Sequence, residues 1–229
     1  MPRRPDATAP ARASSKGLSR GAVVEAAIQI ADRDGIDAVS MRKLAVHFGV
    51  DPMSLYHHVR DKGDLLASMV DTVVAGIHTD LPDGAWTERI RHLILSARAT
   101  VLRHPWSARA IEDLAQPTPA ALRHMNTVVG IMRDGDLSLD LTHHALHVLG
   151  SRVLGFSQDL FDDSPDARPE PAVAAAQAAV WMTELPHLAE LAMGATHDGA
   201  LGGCDDDHEF AFSLDLILDG LERRRAAGE

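Results

Sequence analysis

The sequence of 229 residues holds a single cysteine, Cys204, which rules out an intramolecular disulfide framework and fits a reducing compartment. No apolar run approaches the roughly 20 residues that a membrane helix needs. The arginines at the N-terminus have no apolar segment behind them, so the start does not read as a secretory signal. A soluble, cytoplasmic protein with no membrane association is expected. Alternation of period two is missing along the whole chain, as is any internal repeat. Catalytic signatures are missing too: there is no G-x-S-x-G, no phosphate-cradling glycine loop and no His-Glu-x-x-His. Cys204 is flanked by glycine and aspartates, with no basic neighbour to lower its pKa. The expectation is therefore an all-α protein with no catalytic residues and no cofactor.

Positive charge is also short. A net charge of −11 argues against a protein that coats nucleic acid indiscriminately. The balance is uneven, however: residues 1–64 carry 10 Lys and Arg against 8 Asp and Glu, whereas the remainder carries 12 against 25. A slightly basic head on an acidic body suits a nucleic-acid reader joined to a regulatory domain, with only the head touching phosphates.

What is there centres on Ser40 to Lys62, SMRKLAVHFGVDPMSLYHHVRDK. Ser40 is a candidate N-cap. Met41, Leu44, Ala45 and Phe48 draw one apolar stripe on a short helix, and Gly49 supplies the left-handed conformation that ends it. Asp51 and Pro52 restart the chain as a second short helix, an acidic cap followed by the residue best suited to the first helical position. Leu55 and Val59 can pack inward while the polar residues take the other faces. Two short helices about a one-glycine corner form a helix-turn-helix, the geometry that inserts a helix into the major groove.

Around this unit the periodicity predicts a supporting helix from Leu18 to Asp34 and a fourth helix capped by Asp61 and Asp64 that runs to about His78. Helices are then expected over Trp86–His104, Ala108–Leu114, Ala120–Asp134, Ser138–Phe156, Ala172–Leu185 with a continuation to Ala192, and Glu209–Arg225. The stretches Asp162–Pro171 and Gly194–Asp207 read as exposed loops. The domain expectation is a disordered basic tail (1–17), a helix-turn-helix domain (18–64) and a helical domain (65–229). The tail is either a solvated terminus or a basic arm that follows a DNA groove.

Leu18 to Val74, with its Arg-Lys-Leu-Ala, Gly-Val, Leu-Tyr-His-His-Val and Lys-x-x-Leu-Leu elements, resembles the DNA-binding domain of the TetR family of bacterial regulators. A weaker resemblance, carried by Trp86, Leu137-Ser138-Leu139-Asp140, Gly150, Gly155 and the closing FSLDLILDGLERR, extends to the tetracycline-repressor type of C-terminal domain. The resemblance implies three helices of a helix-turn-helix domain, joined by a fourth to a helical domain for ligand binding and dimerisation. It implies a homodimer on a palindromic double-stranded DNA operator, acting as a repressor released by a small-molecule effector. DNA contacts then fall on Arg42 and Lys43 at the start of the second helix, on Pro52, Met53, Ser54, Tyr56, His57 and His58 of the third, and on Lys62 as a phosphate contact. Local packing is the alternative for Tyr56 and the two histidines. Pro52 and Met53 stand where tetracycline repressors have a glutamine and a proline; neither side chain donates a hydrogen bond, so a different operator sequence is implied.

On the ligand side the resemblance places His78 at a drug-contacting position, but puts Ile111 at a magnesium-binding histidine and Leu93 and Ala97 at polar contacts. A tetracycline–magnesium chelate is therefore not expected, nor any bound metal. The replacements describe an apolar pocket lined from Leu93, Ile94, Ala97, Val101, Ile111, Met125, Val128, Val129, Met132, Leu146 and Trp181, with an ordinary bundle core as the alternative. His78 could equally be an exposed helix end. Asp140, His143 and His147 share one helical face and read better as a polar helix face or pocket wall than as a metal site, and Cys204 to His208, in a glycine-rich loop, carries ligand types but reads better as solvated. Leu149, Val153, Leu214, Ile217, Leu218 and Leu221 form apolar stripes expected to make the dimer, unless they are covered within one subunit. Competing readings are a ligand-independent or activating regulator, and an enzyme using the His-rich C-terminal bundle.

Overall fold

The structure, a computed structural model, describes residues 18–154, 171–187, 189–190 and 206–229. The predicted tail, most of the two predicted loops, Phe156 and Cys204 lie outside the described residues. Among the described residues there is no strand. The helices are α1 Arg20–Asp34, α2 Met41–Phe48, α3 Pro52–Leu55, α4 Lys62–Ala75, α5 Trp86–Arg103, α6 Trp106–Asp113, α7 Pro119–Asp134, α8 Leu139–Leu154, α9 Pro171–Glu184 and α10 Asp206–Ala226.

Side-chain caps set the starts of the first four helices. Ser19 accepts from the Ala22 amide, Ser40 from Lys43, Asp51 from Met53 and Asp61 from Asp64, at 3.1, 3.2, 2.8 and 2.7 Å. Each satisfies an amide that the helix itself leaves unpaired. Gly49 ends α2 at φ +64°, where any Cβ would be strained, and the Val50 amide returns to the Ala45 carbonyl.

Two helix ends differ by three residues from the sequence expectation. α4 stops at Ala75, with the Gly76 amide closing on Thr72 and Val73, so His78 lies beyond it rather than on its last turn. Glycine is a poor helix former, and here it lets the chain turn away early. α10 starts at Asp206, not Glu209, and takes Asp206, Asp207 and Glu209 into its first turn, where the helix dipole favours negative charge.

The chain divides into two compact units that meet between Thr142 and His143. In the first, α1 to α4 enclose a core of Val23, Ala27, Leu44, Leu55, Leu65 and Met69, all almost fully buried. That core does not stop at the end of the helix-turn-helix: Trp106, Ala110 and Ala120, from α6 and α7, belong to it. The expected domain boundary near Asp64 thus falls inside a continuous apolar core. α5 packs along α7, and both bury one stripe, Ile90, Leu93, Ile94 and Ala97 on α5 and Val128, Ile131 and Met132 on α7. Gly135 is required where α7 ends: a Cβ there would lie 2.4 Å from Trp86 Cγ.

In the second unit Leu149, Leu214, Leu218 and Leu221 are buried, as is Phe210, which carries the Arg152 guanidinium 4.8 Å above its ring. Arg152 Nε also donates to Ser213 Oγ at 2.6 Å. The stripe expected to face a second subunit is therefore covered within the chain at Leu149, Leu214, Leu218 and Leu221, while Ile217 and Val153 are half-buried. The exposed large apolar residues of α10 are Phe212 and Leu216, four apart on another face.

Candidate nucleic-acid interface

Leu55 and Val59 anchor the recognition segment by burying into the head core, as their spacing predicted. Their burial leaves Pro52, Met53, Tyr56 and His57 exposed, with Ser54 and His58 half-buried. Met53 is 67 % exposed and Tyr56 44 %, large fractions for side chains of this size. α3 itself is a single helical turn followed by Tyr56-His57-His58 in turn conformation. Arg42, at the start of α2, and Lys62, the first residue of α4, are both exposed and have no ion partner among the described residues. Both guanidinium and ammonium are thus available to phosphate or to a guanine edge.

Lys43 differs from Arg42. Its Nζ lies 2.5 Å from Asp34, which also takes two hydrogen bonds from Arg33. Arg33 first and Lys43 second hold the Asp34 carboxyl far below the usual carboxylate range, so Lys43 is already partly neutralised within the protein.

The residue that fixes the recognition segment is one that sequence reading missed. Arg20 donates to both oxygens of Asp64, at 3.0 and 2.8 Å, to the His58 carbonyl at 2.8 Å and to Ser68 Oγ at 2.7 Å. One guanidinium therefore ties α1 to the end of the recognition segment and to the first two turns of α4. Asp64 also accepts the Arg60 amide, and its carboxyl is held far below the usual range by Arg20 first, then Arg60. Arg60 has its side chain 84 % exposed, with Nη2 at 3.4 Å from Asp64, two residues before Lys62. It adds a cation that the sequence reading left out.

The expected ligand-binding residues divide. Leu93, Ala97, Val128 and Met132 are buried, and Val101 and Val129 half-buried, on the packed helices α5 and α7. Ile111 instead packs against the head core. His78 and Met125 are exposed; the His78 amide donates to Ser96 Oγ at 3.1 Å. Leu146 and Trp181, both half-buried, belong to the second unit.

Two buried polar atoms in the first unit have no hydrogen-bond partner: Ser107 Oγ, on a fully buried side chain of α6, and His124 Nδ1 on α7. Burial pushes the His124 pKa below the ordinary imidazole value, keeping the ring neutral. On α8 the rings of His143 and His147 meet edge to face at 4.7 Å, and both residues are exposed. Among the described residues no group of three or more His, Cys, Asp or Glu is arranged to hold a metal. No helix among them is long and apolar enough to cross a membrane.

The family profile described as "Bacterial regulatory proteins, tetR family" matches residues 23–69, and that described as "Tetracyclin repressor-like, C-terminal domain" matches residues 78–225. The HTH-type transcriptional repressor DrrR1 of Streptomyces coeruleorubidus is 32 % identical over 222 residues, covering 93 % of this chain and 80 % of that protein. ActR of Streptomyces coelicolor, solved in complex with actinorhodin, is 27 % identical, with a TM-score of 0.71 over 93 % of this chain and 99 % of ActR. BioQ, solved with its double-stranded DNA operator, is 23 % identical, with a TM-score of 0.61 over 89 % of this chain and 98 % of BioQ, a likeness of fold alone. With a helix-turn-helix head that exposes Arg42, Met53, Tyr56 and Lys62 and profile matches that run from Val23 to Arg225, this chain belongs to the tetR family of bacterial transcriptional regulators.

Proposed function

We propose that the protein is a cytoplasmic repressor that binds a palindromic double-stranded DNA operator as a homodimer and is released by a small effector held in its helical body. The observation that carries the DNA reading is the capped α2–Gly49–α3 unit, which presents exposed Arg42, Met53, Tyr56 and Lys62 around a fully buried Leu55. Residues 18–64 serve as the DNA-binding domain, and 65–229 as the ligand-binding and dimerisation domain. The name of DrrR1 and the actinorhodin bound to ActR support repression and an effector.

The effector is largely apolar, matched to Leu93, Ala97, Val128 and Met132, and carries one polar group. Neutral His124 on α7, with Nδ1 unpaired, supports the polar group, since an unpaired buried nitrogen gains most from a ligand partner. α4, at about 21 Å for 14 residues, joins the phosphate-contacting Lys62 to the body and supports transmission between them. The chemistry needs no catalytic residue. A ligand-independent or activating regulator is the alternative reading.

Selection of operators from random duplex DNA, followed by footprinting, tests the proposal. An inverted repeat with half-sites roughly one helical turn apart is expected. Binding without sequence preference would overturn it.

A further inference from the structure

We propose that Asp32 is a positioning residue: its carboxylate clasps the helix-turn-helix head to the joint between α5 and α6, and so fixes how the head presents α3 to DNA. The proposal rests on the reading of the protein as a two-headed operator binder.

Asp32 lies on the last turn of α1. Its Oδ1 takes a hydrogen bond from the ring Nδ1 of His104 at 2.8 Å and another from the indole Nε1 of Trp106 at 2.7 Å. A carboxylate only accepts, so His104 Nδ1 must carry its hydrogen. The two donors stand where α5 ends and α6 begins, 72 and 74 residues from Asp32, and their rings meet edge to face at 6.1 Å.

The joint is itself tightly built. The His104 amide closes α5 on Thr100 and Val101, and its carbonyl accepts the Ser107 amide at 2.8 Å. Trp106 is 6 % exposed and packs within the same core as α1 to α4. Any shift of α6 relative to α5 therefore pulls an indole N–H away from α1, or pulls α1 with it.

A second tether leaves the head from another helix. Asp71 on α4 accepts the Ala120 amide at 2.7 Å, in the first turn of α7. One tether adds a single polar fixed point to the apolar core that the head shares with α6 and α7. Two, on α1 and on α4, set an orientation. The Asp32 tether is the one that reaches the α5–α6 joint, and it does so with a side chain that is 31 % exposed. An exposed carboxylate adds little to stability, but hydrogen bonds to two fixed donors are directional, and that suits positioning.

The test uses the full-length protein and the operator that the wild type selects, together with versions whose half-sites are one base pair closer or farther apart, and one with a scrambled half-site. Asp32→Ala should bind the selected operator about tenfold more weakly and lose its preference among spacings, while keeping wild-type affinity for the scrambled duplex. Asp32→Asn retains an oxygen acceptor for both donors and should keep the wild-type spacing preference. Trp106→Phe loses one donor and should fall between. An Asp32→Ala protein with the wild-type spacing preference overturns the proposal. So does equal weakening on every duplex with a lower melting temperature, which marks a merely structural role. If the wild type itself selects no two-half-site operator, the underlying reading fails, and that outcome is visible before any variant is made.

Discussion

Arg20 grips Asp64 with its two terminal guanidinium nitrogens across 44 residues of sequence, and the same nitrogens bind the His58 carbonyl and Ser68. The recognition segment thus ends on a carbonyl held from α1. Removing the guanidinium takes a donor from that carbonyl and two from the Asp64 carboxylate, which keeps the Arg60 amide. Arg20→Ala should cost about 1–2 kcal/mol of stability, the low end for a charge-assisted bond because the arginine is half exposed. Arg20→Lys should not recover it, since an ammonium cannot span both oxygens. The Asp64 carboxyl lies below its ordinary value of 3.8, so its contribution is intact above that pH and declines as acid is added below it. Thermal melts of both variants from pH 7 to pH 3 check the sign; a variant melting like the wild type throughout would contradict it.

On the DNA side, Arg42→Ala and Tyr56→Phe should each weaken binding to the selected operator by roughly 1–3 kcal/mol, and binding to non-operator DNA by less. Lys62→Ala should weaken binding to all duplexes alike and flatten the salt dependence by about one counterion. Lys43→Ala should do less than Arg42→Ala, because Asp34 already holds its ammonium at 2.5 Å. Titrations at several salt concentrations separate the three behaviours.

What the sequence made legible was local. Ser40, Gly49, Asp51 and Pro52 act on backbone groups within three or four residues of themselves, so their spacing alone predicts the helix-turn-helix. Arg20–Asp64 and Asp32–Trp106 join residues 44 and 74 positions apart, and a lone charge on a helix does not name its partner. Periodicity likewise shows that Leu214, Leu218 and Leu221 form a stripe, but not what covers it. His78 was misplaced for a third reason: apolar period carried α4 onward, whereas the Gly76 amide closes the helix at Ala75.

Gly135 should tolerate no side chain. A Cβ would meet three atoms of Trp86 at 2.4–2.7 Å, in a ring fixed at the start of α5. Gly135→Ala should destabilise the protein by about 1–3 kcal/mol through overpacking. Gly130→Ala, on the same helix with open space about it, should be neutral or slightly stabilising. Comparing the two melting temperatures tests the steric argument; equal values would refute it.

His124 gives the body a pH response. Its pKa in the folded state lies below the ordinary 6.5 because burial penalises the imidazolium. Between those two values the unfolded chain binds a proton that the folded protein refuses, so stability is full above 6.5 and falls as pH drops through the window. His124→Leu should remove that slope. It should also weaken an effector that bonds Nδ1, leaving operator affinity unchanged. Melting curves at pH 7.5 and 5.5 decide the first point, the wild type losing more than the variant.

The proposed dimer is best sought on the exposed face of α10. Leu214, Leu218 and Leu221 are at most 8 % exposed, so Leu218→Asp should buries a charge in the subunit and impair folding rather than release folded monomers. Phe212 and Leu216 are each 55 % exposed and four residues apart, which places them on one side of the helix. Exposed aromatic and aliphatic pairs of this kind are what an interface core uses. Phe212→Asp with Leu216→Asp should therefore leave a folded protein, with an unchanged helical circular dichroism signal, that sediments as a monomer. Because a palindrome is read by two heads at once, that monomer should bind the operator far more weakly than the dimer and lose the advantage of the second half-site. A double variant that still sediments as a dimer would move the interface off this face. A wild type that sediments as a monomer would remove the dimer altogether.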